Sequence, residues 1–205
     1  MRKLLLPIFL VSVLFLLPFA AVRSTGEGPG AAVESLNAAI LQALHSPAAS
    51  DFKTRVAILR PLMVETFDYP FMARIAAGRF WKDFSPEQQE RYVMLFSDLA
   101  IDVAASRFKT QPSARLTVTG GRDGPRGTKL VETTLTLPDK TPRVISYLMR
   151  EDDNDRWRAI DIFFESRISE LSTKRSEYTS TLERDGIPAF LATLQNKQDS
   201  YRAED

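Results

Sequence analysis

The amino-acid sequence predicts an α+β protein in which helices pack against one face of a curved, four-stranded antiparallel sheet. Three observations predict this class. Apolar residues recur at helical spacing as far as about Phe108, change to a period of two between Arg115 and Phe164, and return to helical spacing after Ser166. Helices on one side of a bent sheet enclose a cone, which is a frequent place for an apolar pocket.

Three helices are predicted before residue 85. The first lies within residues 31–46, the second spans about Phe52–Thr66, and the third follows a turn at Asp68–Pro70. Each has an apolar stripe on one side, as expected for a helix that packs on a core. The stripes contain Val33, Leu36, Ile40 and Leu44 in the first helix, Val56, Leu59 and Met63 in the second, and Met72, Ile75, Ala76 and Phe80 in the third.

A fourth helix is predicted from the segment "SPEQQ" to about Phe108. Ser85 can cap its start, Pro86 suits the first helical position, and Gln88 stands where a capping box needs Glu or Gln. Its apolar stripe contains Tyr92, Leu95, Phe96, Leu99, Val103 and Ala104.

Four strands are predicted next, because period-two patterns are separated by the short turn-like segments "GRDGPRG", "PDKTP" and "EDDND". Short connections join neighbouring antiparallel strands, so the sheet is expected to be a meander. The predicted strands are Arg115–Gly120, Lys129–Leu137, Arg143–Arg150 and Arg156–Phe164.

Two C-terminal helices are predicted after the sheet. Gly186 is expected to end the first helix, because glycine readily adopts the backbone conformation that follows a helix. The second is a short helix that begins at "IPAF". The stripes contain Ile168, Leu171, Arg175, Tyr178 and Leu182 in the first helix, and Phe190, Leu191 and Leu194 in the second.

The N-terminus has the form of a secretory signal peptide. Arg2 and Lys3 precede an apolar run from Leu4 to Phe19, which is shorter than the ~20 residues of a full membrane span. Cleavage is expected near residue 24, with an uncleaved membrane anchor as the alternative, and either form exports the rest of the chain. The predicted division is a signal peptide at 1–24, a flexible leader at 25–32, a single folded domain at 33–198 and a polar tail at 199–205.

Charge and composition argue against several functional classes. The chain has 27 basic and 26 acidic residues, and the predicted signal peptide removes only bases, so the body does not suit general binding of nucleic acid. There is no Cys, and His45 is the one His, which leaves no catalytic triad and no metal site.

Asp161 is the one acid inside an apolar strand. With strict alternation it shares a face with Trp157, Ala159 and Phe163. It can be the proton-transfer base of an isomerase-like enzyme, or a structural anchor that is hydrogen-bonded or paired with an arginine. A buried charge without a partner would cost several kcal/mol. The candidate arginine partners are Arg74, Arg79 and Arg175.

Three stretches resemble the toluene-tolerance/MlaC family of periplasmic lipid-binding proteins. They are "FDYPFMARIAAGRFWKDFSPEQQERYVMLF", "WRAIDIFFESRISELSTKRSEY" and "LERDGIPAFLATLQNK", and together they cover nearly the whole exported body. The segment "SELSTKRSEY" most resembles the branch associated with hopanoid biosynthesis, often called HpnM. The resemblance implies a cystatin- or NTF2-like shell around a deep apolar cavity, with no catalytic step and no cofactor.

The resemblance also implies partners. Family members carry phospholipid between an outer-membrane lipoprotein complex and an inner-membrane MCE–ABC transporter, and the hopanoid branch is thought to pair with an RND-type exporter. The family usually has a glycine after the last strand, where this chain has Ser166 followed by Arg167. Possible contacts to a lipid head group or a partner are Arg167, Lys174 and Arg175.

A lipid carrier needs apolar residues to line its cavity, and this chain has 13 Phe, 5 Tyr, 5 Met and 2 Trp. Met and Phe adapt well to a flexible ligand. A catalytic pocket and a membrane-tethered adapter without lipid remain the alternatives. The residues expected to line the cavity are Phe67, Met72, Ile75, Phe80, Leu95, Phe96, Leu99, Ile145, Tyr147, Met149, Trp157 and Phe163.

Overall fold

The computed structural model describes residues 28–138, 140–165 and 167–203. The predicted order of helices, antiparallel sheet and C-terminal helix is confirmed. The predicted signal peptide and residues 25–27 of the leader lie outside the described residues, and so does Ser166.

Within the described residues, four α-helices precede the sheet. They are α1 (Pro29–His45), α2 (Phe52–Thr66), α3 (Tyr69–Ala77) and α4 (Pro86–Arg107). Helix α1 begins inside the segment predicted as a flexible leader, and the difference has a local cause: Pro29 occupies the first helical turn, where its fixed φ angle suits a helix start.

The predicted capping box of α4 is present. The backbone N–H of Gln88 donates to Ser85 Oγ over 3.3 Å, and the backbone N–H of Ser85 donates to Gln88 Oε1 over 2.9 Å. The two bonds satisfy N–H groups that the first turn of a helix otherwise leaves without acceptors.

The sheet has five strands rather than the predicted four. They follow one another in the order β1 to β5, with every neighbouring pair antiparallel. The extra strand, β5, contains only two residues, which is too short for a period-two pattern to reveal. The strands are β1 (Arg115–Asp123), β2 (Lys129–Thr136), β3 (Arg143–Glu151), β4 (Trp157–Phe164) and β5 (Ile168–Ser169).

A β-bulge interrupts the alternation of β4. Tyr147 pairs with Ile162, whereas Met149, two residues further along β3, pairs with Ala159. Between these two pairs β4 advances by three residues while β3 advances by two. Side chains before and after the extra residue of β4 therefore point to opposite faces from those that strict alternation predicts. Ile162 and Ala159 consequently share a face, and Asp161 turns to the opposite one. The predicted shared face of Trp157, Ala159, Asp161 and Phe163 is corrected accordingly.

The corner between α2 and α3 is fastened to the sheet. The backbone N–H of Asp68 donates to the carbonyl oxygen of Ala159 over 2.9 Å, and Phe67 forms a parallel bridge with the same strand residue. Arg150 Nη2 lies 2.7 Å from Asp68 Oδ2, and the Arg150 guanidinium stacks 4.0 Å from the ring centre of Phe71. These contacts fix one end of the helical layer over β3 and β4.

The C-terminal helix α5 (Glu170–Ala203) breaks at Gly186, where φ is 75°. The predicted stop at this glycine is therefore confirmed, and the two halves pack side by side. The rings of Tyr178 and Phe190 lie 5.2 Å apart between centres. The second half continues through the predicted polar tail to Ala203, because Arg202 near its end bonds Asp102 on α4.

No helix within the described residues is both long enough and apolar enough to cross a membrane.

Gly78 connects α3 to the segment that packs on α5, and its φ of 58° suits glycine. A Cβ atom at this position would lie 3.0 Å from Thr179 Cγ2. We expect Gly78→Ala to lower the free energy of unfolding by about 1–3 kcal/mol, from backbone strain and this contact. Urea denaturation measures the change.

The matched control is Gly30→Ala in the first turn of α1, where a Cβ would meet nothing within 4 Å. Alanine is the better helix former, so this variant should be neutral or more stable by up to ~1 kcal/mol. Equal stability of the two variants would contradict the assigned strain at Gly78.

Candidate functional site

A cavity of about 860 Å³ lies between the helices and the inner face of the sheet. Helix α4 supplies the longest stripe of its wall, because Phe96, Leu99, Ala100, Val103 and Ala104 recur at three- and four-residue steps. The other uncharged helical residues on the wall are Leu36, Ile40 and Leu44 of α1, Met63 of α2, Tyr69 and Met72 of α3, and Leu171, Tyr178 and Tyr201 of α5, together with Phe67 before α3.

The sheet contributes cross-strand pairs to the wall. Ile145 pairs with Phe164, and Tyr147 pairs with Ile162, so each pair presents two apolar side chains on the same face. The β4 bulge makes this possible, since it brings Ile162 and Phe164 onto the face that carries Tyr147. The interior of the cavity is thus apolar on both its helical and its sheet side.

Tyrosines supply the polar atoms of the inner wall. Tyr69 stacks on Phe67 with ring centres 5.5 Å apart and meets Phe96 edge-on at 6.3 Å. Burial raises the pKa of Tyr69 and of Tyr147 far above the ordinary value for tyrosine. Both rings therefore remain neutral, and they add no charge to the apolar interior.

Charged residues occupy the part of the wall that reaches the surface. Four exposed bases, here called the basic rim, lie at or just after the end of α4 or around the β2–β3 connection: Arg107, Lys109, Lys140 and Arg143.

Two more bases on the wall, Lys174 and Lys197, come from the two halves of α5. Both lie near Glu177, at 3.2 Å and 3.7 Å. Two acids, Glu165 and Glu170, also contribute to the wall. Among the described wall residues, bases therefore outnumber acids, and the basic excess lies outside the α5 ion pairs.

Asp161 lies outside the cavity wall and is 7% exposed. Its Oδ1 accepts the backbone N–H groups of Ile162 over 2.7 Å and of Leu171 over 3.0 Å, and its Oδ2 accepts the Ser169 hydroxyl over 2.6 Å. Burial raises the pKa of Asp161, although these three donors act in the opposite direction. Of the two structural alternatives, its contacts match the hydrogen-bonded one, and the structure shows no arginine partner among the described residues.

Ser169 connects this carboxylate to the start of α5. Its hydroxyl donates to Asp161 and accepts the backbone N–H of Ser172 over 2.9 Å, as a capping residue does. Asp161 and Ser169 together satisfy N–H groups of the first helical turn, and a carboxylate is also favoured there by the helix dipole.

Half of the twelve residues predicted to line the cavity lie on its wall. They come from all three regions that the sequence singled out: the α2–α3 corner, α4 and β3. They are Phe67, Met72, Phe96, Leu99, Ile145 and Tyr147.

The other six lie off the wall, for distinct reasons. Leu95 and Met149 are enclosed in the solid core, at 1% and 0% exposure. The bulge turns Phe163 to the other face of the sheet. Phe80 packs under the guanidinium of Arg79, 4.8 Å from its ring centre. Ile75 and Trp157 are half-buried at the edge of the core.

The three residues predicted to contact a head group lie in different places in the structure. Lys174 lies on the cavity wall, whereas Arg167 is exposed in the turn before β5. Arg175 points to the α3 side, beside Gly78. The Ser166 position, where the family pattern has glycine, lies outside the described residues.

Sequence reasoning missed the wall residues of α1, the end of α4 and β4. Leu36, Ile40 and Leu44 form an apolar helical stripe that the sequence does show. The spacing of such a stripe is the same whether it packs on a core or lines a cavity. For Ile162 and Phe164 the period-two pattern pointed to the opposite face, and no residue type marks the bulge that reverses it.

Removing the Asp161 side chain tests its structural contribution. We expect Asp161→Ala to lower the free energy of unfolding by about 2–3 kcal/mol, because it leaves a buried N–H at the start of α5 without an acceptor. Asp161→Asn keeps one acceptor oxygen and should lose about half as much. Chemical denaturation measures both changes.

Asp153→Ala, an exposed turn residue, is the control and should change stability by less than ~0.5 kcal/mol. An Asp161→Ala protein as stable as the control would contradict the anchoring role and revive the catalytic alternative.

Comparisons with known proteins agree with this architecture. The chain matches the family described as MlaC protein over residues 34–196. A solved phospholipid-binding protein from Ralstonia solanacearum, in complex with a phospholipid, shares its fold with a TM-score of 0.74 at 18% identity, covering 85% of this chain and 98% of that one. No curated protein matches the chain. The chain belongs to the MlaC family.

Proposed function

We propose that the protein is a periplasmic phospholipid carrier that holds acyl chains in the cavity and catalyses no reaction. The observation that carries the proposal is the cavity itself, an apolar space of about 860 Å³ with charged residues where it reaches the surface. Membership of the MlaC family supports the same function, as does the fold shared with a protein solved with phospholipid bound.

The size and lining of the cavity suit hydrocarbon. Binding sites for small molecules commonly measure ~300–1,000 Å³, so this cavity is at the large end of that range. Each methylene group moved out of water contributes about 0.8 kcal/mol to the free energy of binding, so a long acyl chain offsets the entropy that it loses in a narrow space. Met63 and Met72 on the wall are flexible side chains that adjust to chains of different shape.

The distribution of polarity suits an amphiphile. Acyl chains would occupy the apolar interior between α4 and the sheet, and the phosphate would remain at the surface near the basic rim. A phosphate left among apolar side chains would carry a large desolvation cost, so the arrangement also sets the direction in which a phospholipid enters.

The isomerase-like alternative depended on an acid inside the pocket. Asp161 is off the wall, and its carboxylate oxygens are engaged by Ile162, Ser169 and Leu171. The enzyme alternative therefore lacks the base that motivated it. The adapter alternative has no use for a large apolar cavity.

The finer parts of the proposal rest on sequence resemblance. The first is that the protein belongs to the HpnM-like branch and binds hopanoid as a second lipid. The second is that it shuttles lipid between an outer-membrane lipoprotein complex and an inner-membrane MCE–ABC or RND-type transporter. The third is that its shell is cystatin- or NTF2-like. Export by residues 1–24 belongs with them, since these residues resemble a signal peptide.

Native mass spectrometry of protein purified from cells tests the proposal directly. We expect one phospholipid per protein, released on denaturation and identified by its fragment masses. Hopanoid in the released fraction would support the HpnM-like branch. Protein that is consistently lipid-free, and that takes up no lipid from vesicles, would contradict the carrier function.

Filling the cavity should block loading. Ala100 lies on the wall in the middle of the α4 stripe, so the indole of Ala100→Trp would occupy space intended for an acyl chain. We expect bound phospholipid to fall about tenfold or more, which corresponds to ~1.4 kcal/mol. Mass spectrometry and thermal denaturation report loading and folding separately.

Ala57→Trp is the matched control, since Ala57 is exposed on α2 and away from the cavity. It should load lipid like the natural protein. Full loading of a folded Ala100→Trp protein would show that acyl chains bind elsewhere.

A further inference from the structure

The basic rim places four exposed bases on the wall of one cavity. Its members come from positions far apart in the chain, two directly after or at the end of α4 and two around the β2–β3 connection. The chain as a whole has 27 basic and 26 acidic residues, so this local excess is compensated elsewhere. The charge is therefore a feature of the cavity opening and not of the entire surface.

The rim bases differ from most other charged residues on the wall in having no ion-pair partner within the described part of the chain. By contrast, Lys174 and Lys197 share Glu177, and Lys174 also lies 4.0 Å from Glu170. The ammonium groups of α5 are thus partly neutralised by their own helix, whereas the rim offers free positive charge to a ligand.

Among the described residues of the cavity wall, acids are too few to cancel the rim. Glu170 lies beside Lys174, which leaves Glu165 as the acid on the wall outside the α5 pairs. Glu165 follows β4, and it lines both the cavity and a second pocket together with Lys140 and Arg143. Among the described residues on the wall, this one carboxylate stands against four rim bases, so their formal charges sum to a positive value at neutral pH.

We propose that the basic rim makes the carrier selective for phospholipids whose head group has a net negative charge over zwitterionic phospholipids with the same acyl chains. The inference rests on the proposed function, since it assigns a head-group preference to the same cavity. Both lipid classes have a phosphate, but a zwitterionic head group adds an ammonium that the rim repels. An anionic head group adds no such charge and gains the full attraction of Arg and Lys.

The size of the preference follows from the exposure of the rim. Exposed charge pairs contribute little individually, since water and salt screen them. Four bases acting on one head group should together favour the anionic lipid by about three- to tenfold. The apolar interior provides most of the affinity, so zwitterionic lipid is expected to load as well, at a lower level.

Competition within one vesicle measures this preference. The purified protein is incubated with vesicles that contain equal amounts of phosphatidylglycerol and phosphatidylethanolamine with identical acyl chains. Because both lipids are drawn from the same surface, attraction of the protein to that surface affects both equally. Native mass spectrometry then gives the ratio of the two bound lipids, which we expect to favour phosphatidylglycerol about three- to tenfold.

Two charge-matched variants assign the preference to the rim. The rim variant should load the two lipids at a ratio near one, whereas the control variant removes two Lys and two Arg from exposed positions off the wall and should keep the natural ratio. The rim variant is Arg107→Gln, Lys109→Gln, Lys140→Gln and Arg143→Gln, and the control variant is Lys53→Gln, Lys82→Gln, Arg91→Gln and Arg126→Gln.

The outcomes separate this inference from the function on which it rests. If neither lipid loads into the natural protein, the carrier function fails. If both load equally, or if the rim variant keeps the natural ratio, the carrier function stands and the selectivity is wrong. Titration with inorganic phosphate alone distinguishes a head-group site from a simple phosphate site: displacement of bound phosphatidylglycerol by millimolar phosphate would overturn the assignment to lipid.

Discussion

The hydrogen bonds of the Asp161 carboxylate hold the last long strand to the final helix, and the cavity depends on that junction. The bulge beside Asp161 turns its side chain away from the inner face and brings Ile162 and Phe164 onto it. The same carboxylate accepts the N–H of Leu171, at the start of the helix that forms one wall. A single irregularity in β4 therefore determines which residues face the cavity, and it places the Asp161 carboxylate at the start of α5.

A large apolar cavity also needs a frame that prevents helices and sheet from collapsing together, because burial of apolar surface favours closure. Polar contacts around the cavity form such a frame. Arg60 Nη1 lies 2.6 Å from Asp98 Oδ1, and Gln198 donates to the other oxygen over 3.0 Å, which joins α2, α4 and α5. Burial raises the pKa of Asp98, but these donors and Arg202 outweigh it, so the pKa lies below its ordinary value and the network stays charged.

The interior and the opening of the cavity offer two different interactions, burial of apolar surface and attraction between charges. The interior, lined by residues such as Leu99 and Tyr147, attracts any hydrocarbon and cannot distinguish one phospholipid from another. In the proposed carrier, discrimination comes from charge at the opening, where a head group would meet Arg and Lys that have no ion-pair partner within the described residues. Affinity and selectivity would then change separately by substitution.

The sequence by itself determined the class of each long element, the capping box at Ser85, the break at Gly186 and the family, because these depend on local spacing and on residue types with strong conformational preferences. Tertiary structure alone decided which apolar residues line the cavity. Leu95 in the core and Leu99 on the wall lie on one helical stripe, and periodicity cannot distinguish a packed neighbour from an empty space. The bulge in β4 and the meeting of rim bases from distant segments also arise only on folding, since each depends on how strands and helices pair in space.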